Sequence, residues 1–171
     1  MTLRFSLAPS DLALLDAAVA DAGARCARVT ARLPATPARA FEVMADQSTW
    51  AAWCADCKGA AWIPAADGAV VAGGVGAVRL ARFSLASFEE RILAWEPGAR
   101  FAFSIDACTL PIARRAAEDW RLRPLDDGAC ELAWTLAVDV APLARPLWPA
   151  SRALAERALA RTAAGLARVL R

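Results

Sequence analysis

The chain contains no histidine and no tyrosine, so any proton transfer within it must use carboxyl, thiol or guanidinium groups. Histidine-based catalytic triads and histidine-ligated metal sites are excluded for the same reason. Two acidic residues stand out because they share alternate strand positions with apolar side chains: Glu90 lies between Phe88 and Ile92, and Glu118 lies two positions before Trp120. Both are candidate acid or base groups that face a ligand.

A carboxyl group on the apolar face of a sheet is costly to bury unless a cation pairs with it. Burial without a partner would raise its pKa, which is the usual state of a catalytic carboxyl group. The alternatives for Glu90 and Glu118 are an internal ion pair, with Arg79 or Arg82 on the neighbouring strand, or a strand register that differs by one residue. The sequence leaves these alternatives open.

Arg152 is a candidate for contact with an anionic group of a ligand. The apolar stripe formed by Leu159, Leu166 and Leu170 reaches Arg152 when it is extended toward the N-terminus of the last predicted helix. An arginine at that position lies either at the mouth of a cavity or beyond the edge of the sheet, in solvent.

The five cysteines are an odd number, which is unusual for a disulfide-stabilised secreted domain. We predict reduced and mostly buried thiols. Cys54 and Cys57 have the spacing of a metal or redox motif, but the sequence has no second such pair and no histidine to complete a zinc site. We therefore expect no metal ion and no cofactor.

The first part of the chain predicts a helix, a strand and a second helix. Residues 10–22 have helical spacing of apolar side chains after a cap at Ser10, and residues 25–33 alternate like a strand. Thr36 followed by Pro37 is typical of a helix start, because threonine caps the helix and proline needs no amide partner in the first turn.

The remainder predicts an antiparallel sheet that is closed by a long helix. A short helix over residues 47–53 and an extended segment up to residue 63 precede the sheet, and the long helix runs from Pro149 to the end. Turn residues separate the strands, and the hairpin order favours antiparallel pairing. The predicted strands are 76–83, 86–95, 100–107, 115–124 and 129–139.

Strand parity indicates which side chains face the long helix, because alternate residues line one face of a sheet. These faces carry large aromatic residues, which either line a cavity or fill the core without leaving a void. The predicted ligand-binding residues are Trp50, Trp53, Arg82, Phe103, Glu118, Trp120, Trp134 and Arg152.

Four segments resemble the START/Bet v 1-like (SRPBCC) superfamily, and within it the polyketide cyclase/dehydrase-like branch. They are ARLPATPARAFEVM at 31–44, WAAW at 50–53, ERILAWEPG at 90–98 and LDDGACELAW at 125–134. The resemblance implies an α+β helix-grip fold, in which a curved antiparallel sheet of about six or seven strands wraps around a long C-terminal helix. Two short helices follow the first strand in this fold.

The resemblance also implies a hydrophobic-ligand cavity in a domain over residues 25–171, with residues 1–24 as an added helical extension. Members of the superfamily include binding proteins and enzymes, so fold does not decide function. One hypothesis is the binding of a small hydrophobic or aromatic ligand. The alternative is a cyclase or dehydratase in which Glu90 removes a proton and Arg79 or Arg82 stabilises the enolate. The sequence does not decide whether a reaction is catalysed.

The balance of 20 basic and 18 acidic side chains, spread along the chain, argues against nucleic acid as a partner. No apolar run has the length of a membrane span, and acidic residues interrupt the N-terminal segment, so we expect a cytoplasmic protein. The N-terminal helix is a candidate contact surface for a homodimer or for a protein partner.

Overall fold

The computed structural model describes residues 4–20, 26–65, 67–111 and 113–171. The predicted ends of the first helix (21–22) and the start of the first long strand (25) lie outside these ranges. The α-helices are α1 Leu12–Ala20, α2 Pro37–Ala45, α3 Trp50–Trp53 and α4 Trp148–Val169. The strands are β1 Phe5–Ser6, β2 Cys26–Leu33, β3 Cys57–Ile63, β4 Val78–Phe83, β5 Ser87–Glu96, β6 Arg100–Cys108, β7 Ala113–Pro124 and β8 Cys130–Val140.

The strands form one antiparallel sheet in the order β2-β8-β7-β6-β5-β4-β3, and β1 pairs with β6 off this path. Neighbours along most of the sheet are consecutive in sequence, which is the pattern that short hairpin turns produce. The long helix α4 packs against the sheet most extensively at β2. The predicted α+β helix-grip fold is therefore confirmed, with β1 as a strand that the sequence did not indicate.

Both predicted helix starts lie close to their expected positions. The Thr36 hydroxyl accepts a hydrogen bond from the Arg39 amide at 3.3 Å, and Pro37 opens α2 as predicted. The cap of α1 was predicted one residue too early. Asp11 Oδ1 accepts from the Leu14 amide at 2.8 Å, whereas the Ser10 amide donates to the Ser104 hydroxyl. Ser10 is therefore used to anchor the chain to β6 and not to cap the helix.

The N-terminal helix α1 is attached to the outer face of the sheet. Leu15 of α1 is buried there against a small apolar cluster. Asp16 binds two arginines of the sheet, Arg100 at 2.6 Å and Arg121 at 2.7 Å. Leu14 is the large apolar side chain that α1 leaves exposed. The apolar side of α1 is thus mostly occupied by its own sheet. A homodimer or partner contact through this helix stays a prediction.

The short helix α3 is held against α4 by a very close backbone approach. A Cβ atom added at Gly165 would lie 2.0 Å from the Trp53 carbonyl oxygen, so only glycine fits at this point of α4. One turn earlier, the Thr162 hydroxyl accepts a hydrogen bond from the Ala55 amide at 3.2 Å. Together these contacts fix the position of α3 and of the turn that follows it over the inner face of the sheet.

No helix within the described ranges has both the length and the apolar composition needed to cross a membrane.

Candidate functional site

A cavity of about 420 Å³ lies between the inner face of the sheet, the turn after α3, the turn between β4 and β5, and α4. Its deep wall is formed by aromatic side chains, and its rim includes Leu85, which is 89% exposed. The predicted void therefore exists, and the aromatic residues do not fill the core completely. The lining comprises Trp50, Cys54, Ala55, Asp56, Phe83, Ser84, Leu85, Ala86, Phe88, Glu90, Phe103, Glu118, Trp120, Trp134, Ala158, Leu159 and Thr162.

A second chamber of about 170 Å³ lies deeper, between the sheet and the buried Leu7 of the N-terminal segment. It shares four lining residues with the larger cavity: Phe83, Phe88, Glu90 and Glu118. The two carboxyl groups are therefore located where the chambers meet. Leu7 therefore contributes to a wall of the second chamber, although it lies outside the segments that carry the family resemblance.

The four tryptophans that were predicted to bind a ligand form a continuous cluster at one wall of the cavity. Trp120 is central: its ring lies 5.7 Å from that of Trp50 in a stacked arrangement and 4.5 Å from that of Trp134. The Trp50 indole donates to the Met44 carbonyl at 2.9 Å, which fixes its orientation. Trp53 packs against Trp50 and Trp120 but is not part of the cavity lining. Three of the four predicted tryptophans therefore face the cavity, and Trp53 supports them.

Glu90 is ion-paired with Arg79, which was one of the two alternatives that the sequence left open for it. The Nε atom of Arg79 donates to Glu90 Oε2, and Arg79 is fully buried. Its guanidinium carbon lies 3.9 Å from the ring centroid of Trp50 and 4.5 Å from that of Phe103, so aromatic faces surround the cation. Burial raises the pKa of Glu90, and the positive charge of Arg79 opposes this effect. No hydrogen bond from Arg79 Nη1 or Nη2 occurs in the described ranges.

Glu118 has a different environment, because tryptophans hold it and not an arginine. Trp120 Nε1 and Trp134 Nε1 both donate to its Oε2, at 2.9 and 2.7 Å. The side chain keeps some accessible surface, which faces the two chambers. Burial, followed by the negative charge of Glu90, raises the pKa of Glu118 to about 7, and the two indole hydrogen bonds oppose the rise. The protonated form of this carboxyl group is therefore favoured far more than in an ordinary exposed glutamate.

Two predicted ligand-binding arginines lie away from the cavity. Arg82 is exposed on the outer face of β4, because it lies three positions after the inward-facing Arg79 and strand side chains alternate between faces. Arg152 is partly buried near the start of α4, where its Nε donates to Glu156 at 2.9 Å. Neither residue belongs to the lining of the cavity.

The sequence analysis missed several lining residues on α4 and in the two turns. Thr162 lies three positions after Leu159, so the helical stripe could have indicated it. The turn residues around Leu85 gave no signal, since periodicity is lost in a turn. Cys54 also lines the cavity, and burial raises the pKa of its thiol, which keeps the sulfur protonated and a poor nucleophile. All five cysteines are buried thiols that are not joined in disulfides, as predicted.

The described ranges contain no cluster of three or more residues that could coordinate a metal ion.

Comparison with known proteins relates the chain to one family. The family model described as "Polyketide cyclase / dehydrase and lipid transport" matches residues 24–171. An uncharacterized protein of Mycobacterium tuberculosis is 34% identical over 136 residues, which are 78% of this chain and 77% of that protein.

Two solved structures have the same fold. The Zhui aromatase/cyclase from Streptomyces sp. R1128 has a TM-score of 0.67 and 16% identity, over 85% of this chain and 93% of that chain. A START superfamily protein from Mycobacterium smegmatis has a TM-score of 0.66 and 15% identity, over 85% and 97% of the two chains. At this level of identity the likeness shows the fold alone.

Proposed function

Because the chain belongs to the polyketide cyclase/dehydrase and lipid transport family, we propose that its cavity binds a small hydrophobic or aromatic molecule without converting it. The observation that carries this proposal is the lining of the larger chamber, where Trp50, Phe103, Trp120 and Trp134 converge on a space of about 420 Å³. Cavities of a few hundred cubic ångströms with mostly apolar walls are typical of small-molecule sites.

The hydrogen bonds of the tryptophans support this proposal. The indole N–H groups of Trp50, Trp120 and Trp134 all donate to acceptors within the protein. These rings therefore offer a ligand their apolar faces and edges and no free donor. Such a surface favours stacking with flat rings and contact with alkyl chains, and it offers few hydrogen bonds to a strongly polar molecule.

We expect titration with lipids and polyketide-like aromatic compounds to quench the tryptophan fluorescence of the purified protein. Extraction with organic solvent followed by mass spectrometry tests whether a ligand is already bound after purification. In Ala158→Trp a large side chain enters the cavity from α4, so the ligand dissociation constant should rise at least about tenfold. A protein that is empty after purification and is not quenched by any compound of the panel would contradict the proposal.

Ala160→Trp is the matched control for this variant. Ala160 lies two positions further along α4 and is exposed, so the same bulky side chain points into solvent. Both variants contain the same number of tryptophans, which makes their fluorescence signals comparable. Equal loss of affinity in both variants would show that the ligand binds elsewhere.

A cyclase or dehydratase reaction is the second function that we propose, and Glu118 is the observation in its favour. The sequence-based hypothesis has Glu90 as the base and Arg79 or Arg82 as the group that stabilises the enolate. The buried ion pair would have to open for that role, since Arg79 lies beneath aromatic rings outside the lining. Glu118 needs no such opening, because it already faces the cavity and has a pKa near neutral pH.

The dehydration of 4-hydroxy-4-phenylbutan-2-one tests the enzymatic alternative. A proton leaves the carbon next to the carbonyl, hydroxide leaves the neighbouring carbon, water is formed and a conjugated C=C bond results. Glu118→Gln should abolish the acceleration, because an amide cannot exchange this proton at neutral pH. Equal rates of enone formation with the wild-type protein, the variant and buffer would reject catalysis of this reaction.

A further inference from the structure

The two carboxyl oxygens of Glu118 differ in the hydrogen bonds that they accept from the protein. Oε2 accepts hydrogen bonds from the indoles of Trp120 and Trp134, which occupy both of its lone pairs. No hydrogen bond to Oε1 occurs in the described part of the chain, and Glu118 lines both chambers. When the carboxyl group is protonated, the proton must therefore be on Oε1, where it is available to a ligand.

The cation near Glu118 is Arg79, and its positive charge lowers the pKa of Glu118 by less than burial and the charge of Glu90 raise it. On the neighbouring inner surface, Arg79 already pairs with Glu90. The thiol of Cys54 is neutral because burial raises its pKa. Asp56 at the exposed rim adds a further negative charge, and α4 contributes only the uncharged lining residues Ala158, Leu159 and Thr162.

A ligand that fills the cavity removes water from the free side of Glu118. Loss of water disfavours the charged form of a carboxyl group, so an uncharged ligand favours the protonated state. In that state Oε1–H is a donor whose position is fixed by the two indoles, and it needs an acceptor. A hydrocarbon would leave this buried donor without a partner, whereas a carbonyl oxygen would satisfy it.

From this geometry we propose that the ligand is an uncharged ring compound with a carbonyl oxygen that accepts a hydrogen bond from Oε1–H of Glu118, and that binding is accompanied by protonation of this residue. The inference rests on the proposed function and adds the chemical class of the ligand to it. It makes Glu118 the specificity-determining residue of the cavity.

The direction of the pH dependence follows from the state of the free protein. Well below the Glu118 pKa of about 7 the carboxyl group is already protonated, and the affinity for a carbonyl compound is at its maximum. Above this pKa Glu118 must take up a proton when the ligand binds, so the affinity falls by up to about tenfold for each pH unit. A hydrocarbon of the same shape makes no such hydrogen bond and shows a weaker dependence.

Fluorenone and fluorene form a suitable probe pair, because they have the same three-ring frame and differ in the carbonyl oxygen. We expect the dissociation constant of fluorenone, measured by tryptophan quenching, to rise about tenfold between about pH 6 and about pH 8. Fluorenone should also bind more tightly than fluorene at the lower pH. Glu118→Gln keeps an oxygen for the two indoles and offers a permanent N–H donor, so its affinity for fluorenone should be high and constant with pH.

Glu96→Gln is the matched control, since Glu96 is an exposed carboxylate at the end of β5 and its variant should keep the wild-type pH dependence. A pH dependence that persists in Glu118→Gln would overturn the inference. Equal and pH-independent binding of fluorenone and fluorene would overturn it too, while leaving the proposed function intact. If no compound of the wider panel binds either, the proposed function fails, and the ligand class fails with it.

Discussion

Arg79→Met is expected to lower the free energy of unfolding by about 3–5 kcal/mol at neutral pH. Methionine preserves contact with the rings of Trp50 and Phe103, on which the guanidinium lies, but leaves Glu90 buried without a cation. Burial already raises the pKa of Glu90, and loss of the positive charge that opposes this effect would raise it further. The destabilisation should therefore increase as the pH rises above the ordinary pKa of a glutamate. Above that pH the unfolded chain has an ionised Glu90, whereas the folded variant must keep this carboxyl group protonated. Urea unfolding followed by tryptophan fluorescence measures both effects.

Two variants control this experiment. Arg82→Met makes the same replacement three positions along β4 at an exposed site, and its effect should be within about 0.5 kcal/mol. In Arg79→Met combined with Glu90→Gln neither member of the buried pair is charged, so most of the lost stability should return. If Arg79→Met is no more destabilising than Arg82→Met, the buried ion pair is not what holds Glu90 in place.

The fold could be predicted because its strands are long, alternate clearly and follow one another through short turns. In β6 the alternation places Phe101, Phe103 and Ile105 on the inner face, as the sequence indicated, and Phe103 and Ile105 line the two chambers. The turns at Pro97-Gly98 and Asp127-Gly128 join neighbouring strands, so the order of the sheet follows from the order of the chain. These are local signals, and they do not depend on knowing the tertiary packing.

The contacts of the site were less predictable, because they depend on register between strands. Trp120 and Trp134 are paired directly across β7 and β8, and this register brings both indoles to the Glu118 carboxylate. A shift of one residue would turn Trp134 to the other face of the sheet. The sequence identified all three residues as candidates and left open whether Glu118 faces a ligand, pairs with an arginine or lies in a different register. It could not show that two indole donors hold the carboxylate.

The positions of Arg82 and Arg152 outside the cavity lining have a geometric origin. Arg82 was considered together with Arg79, although an odd separation along a strand places two side chains on opposite faces. Arg152 lies on the extension of the apolar stripe of α4, but the lining of the cavity on this helix begins only at Ala158. Periodicity gives the face of a helix, whereas the point at which that face meets the cavity depends on where the sheet lies.

Gly165→Ala is expected to lower the free energy of unfolding by about 1–3 kcal/mol, although alanine is the better helix former by about 1 kcal/mol. The added methyl group would lie 2.0 Å from the Trp53 carbonyl oxygen, so α3 must move away from α4. The contact partner is backbone, and a simple change of rotamer cannot relieve the clash. Movement of α3 would also displace Trp50, so the affinity for cavity ligands should fall. Thermal unfolding and the fluorescence titration measure the two effects.

Ala164→Ser is the control for this last prediction, because it adds one atom to the exposed neighbour of Gly165 and should change stability by no more than about 0.5 kcal/mol. A Gly165→Ala protein that gains about 1 kcal/mol would follow helix propensity alone and would show that α3 is not clamped by α4. Loss of both stability and ligand affinity, with Ala164→Ser unchanged, would show that the close contact at Gly165 positions the aromatic wall of the cavity. The same backbone contact would then support the fold and the binding site together.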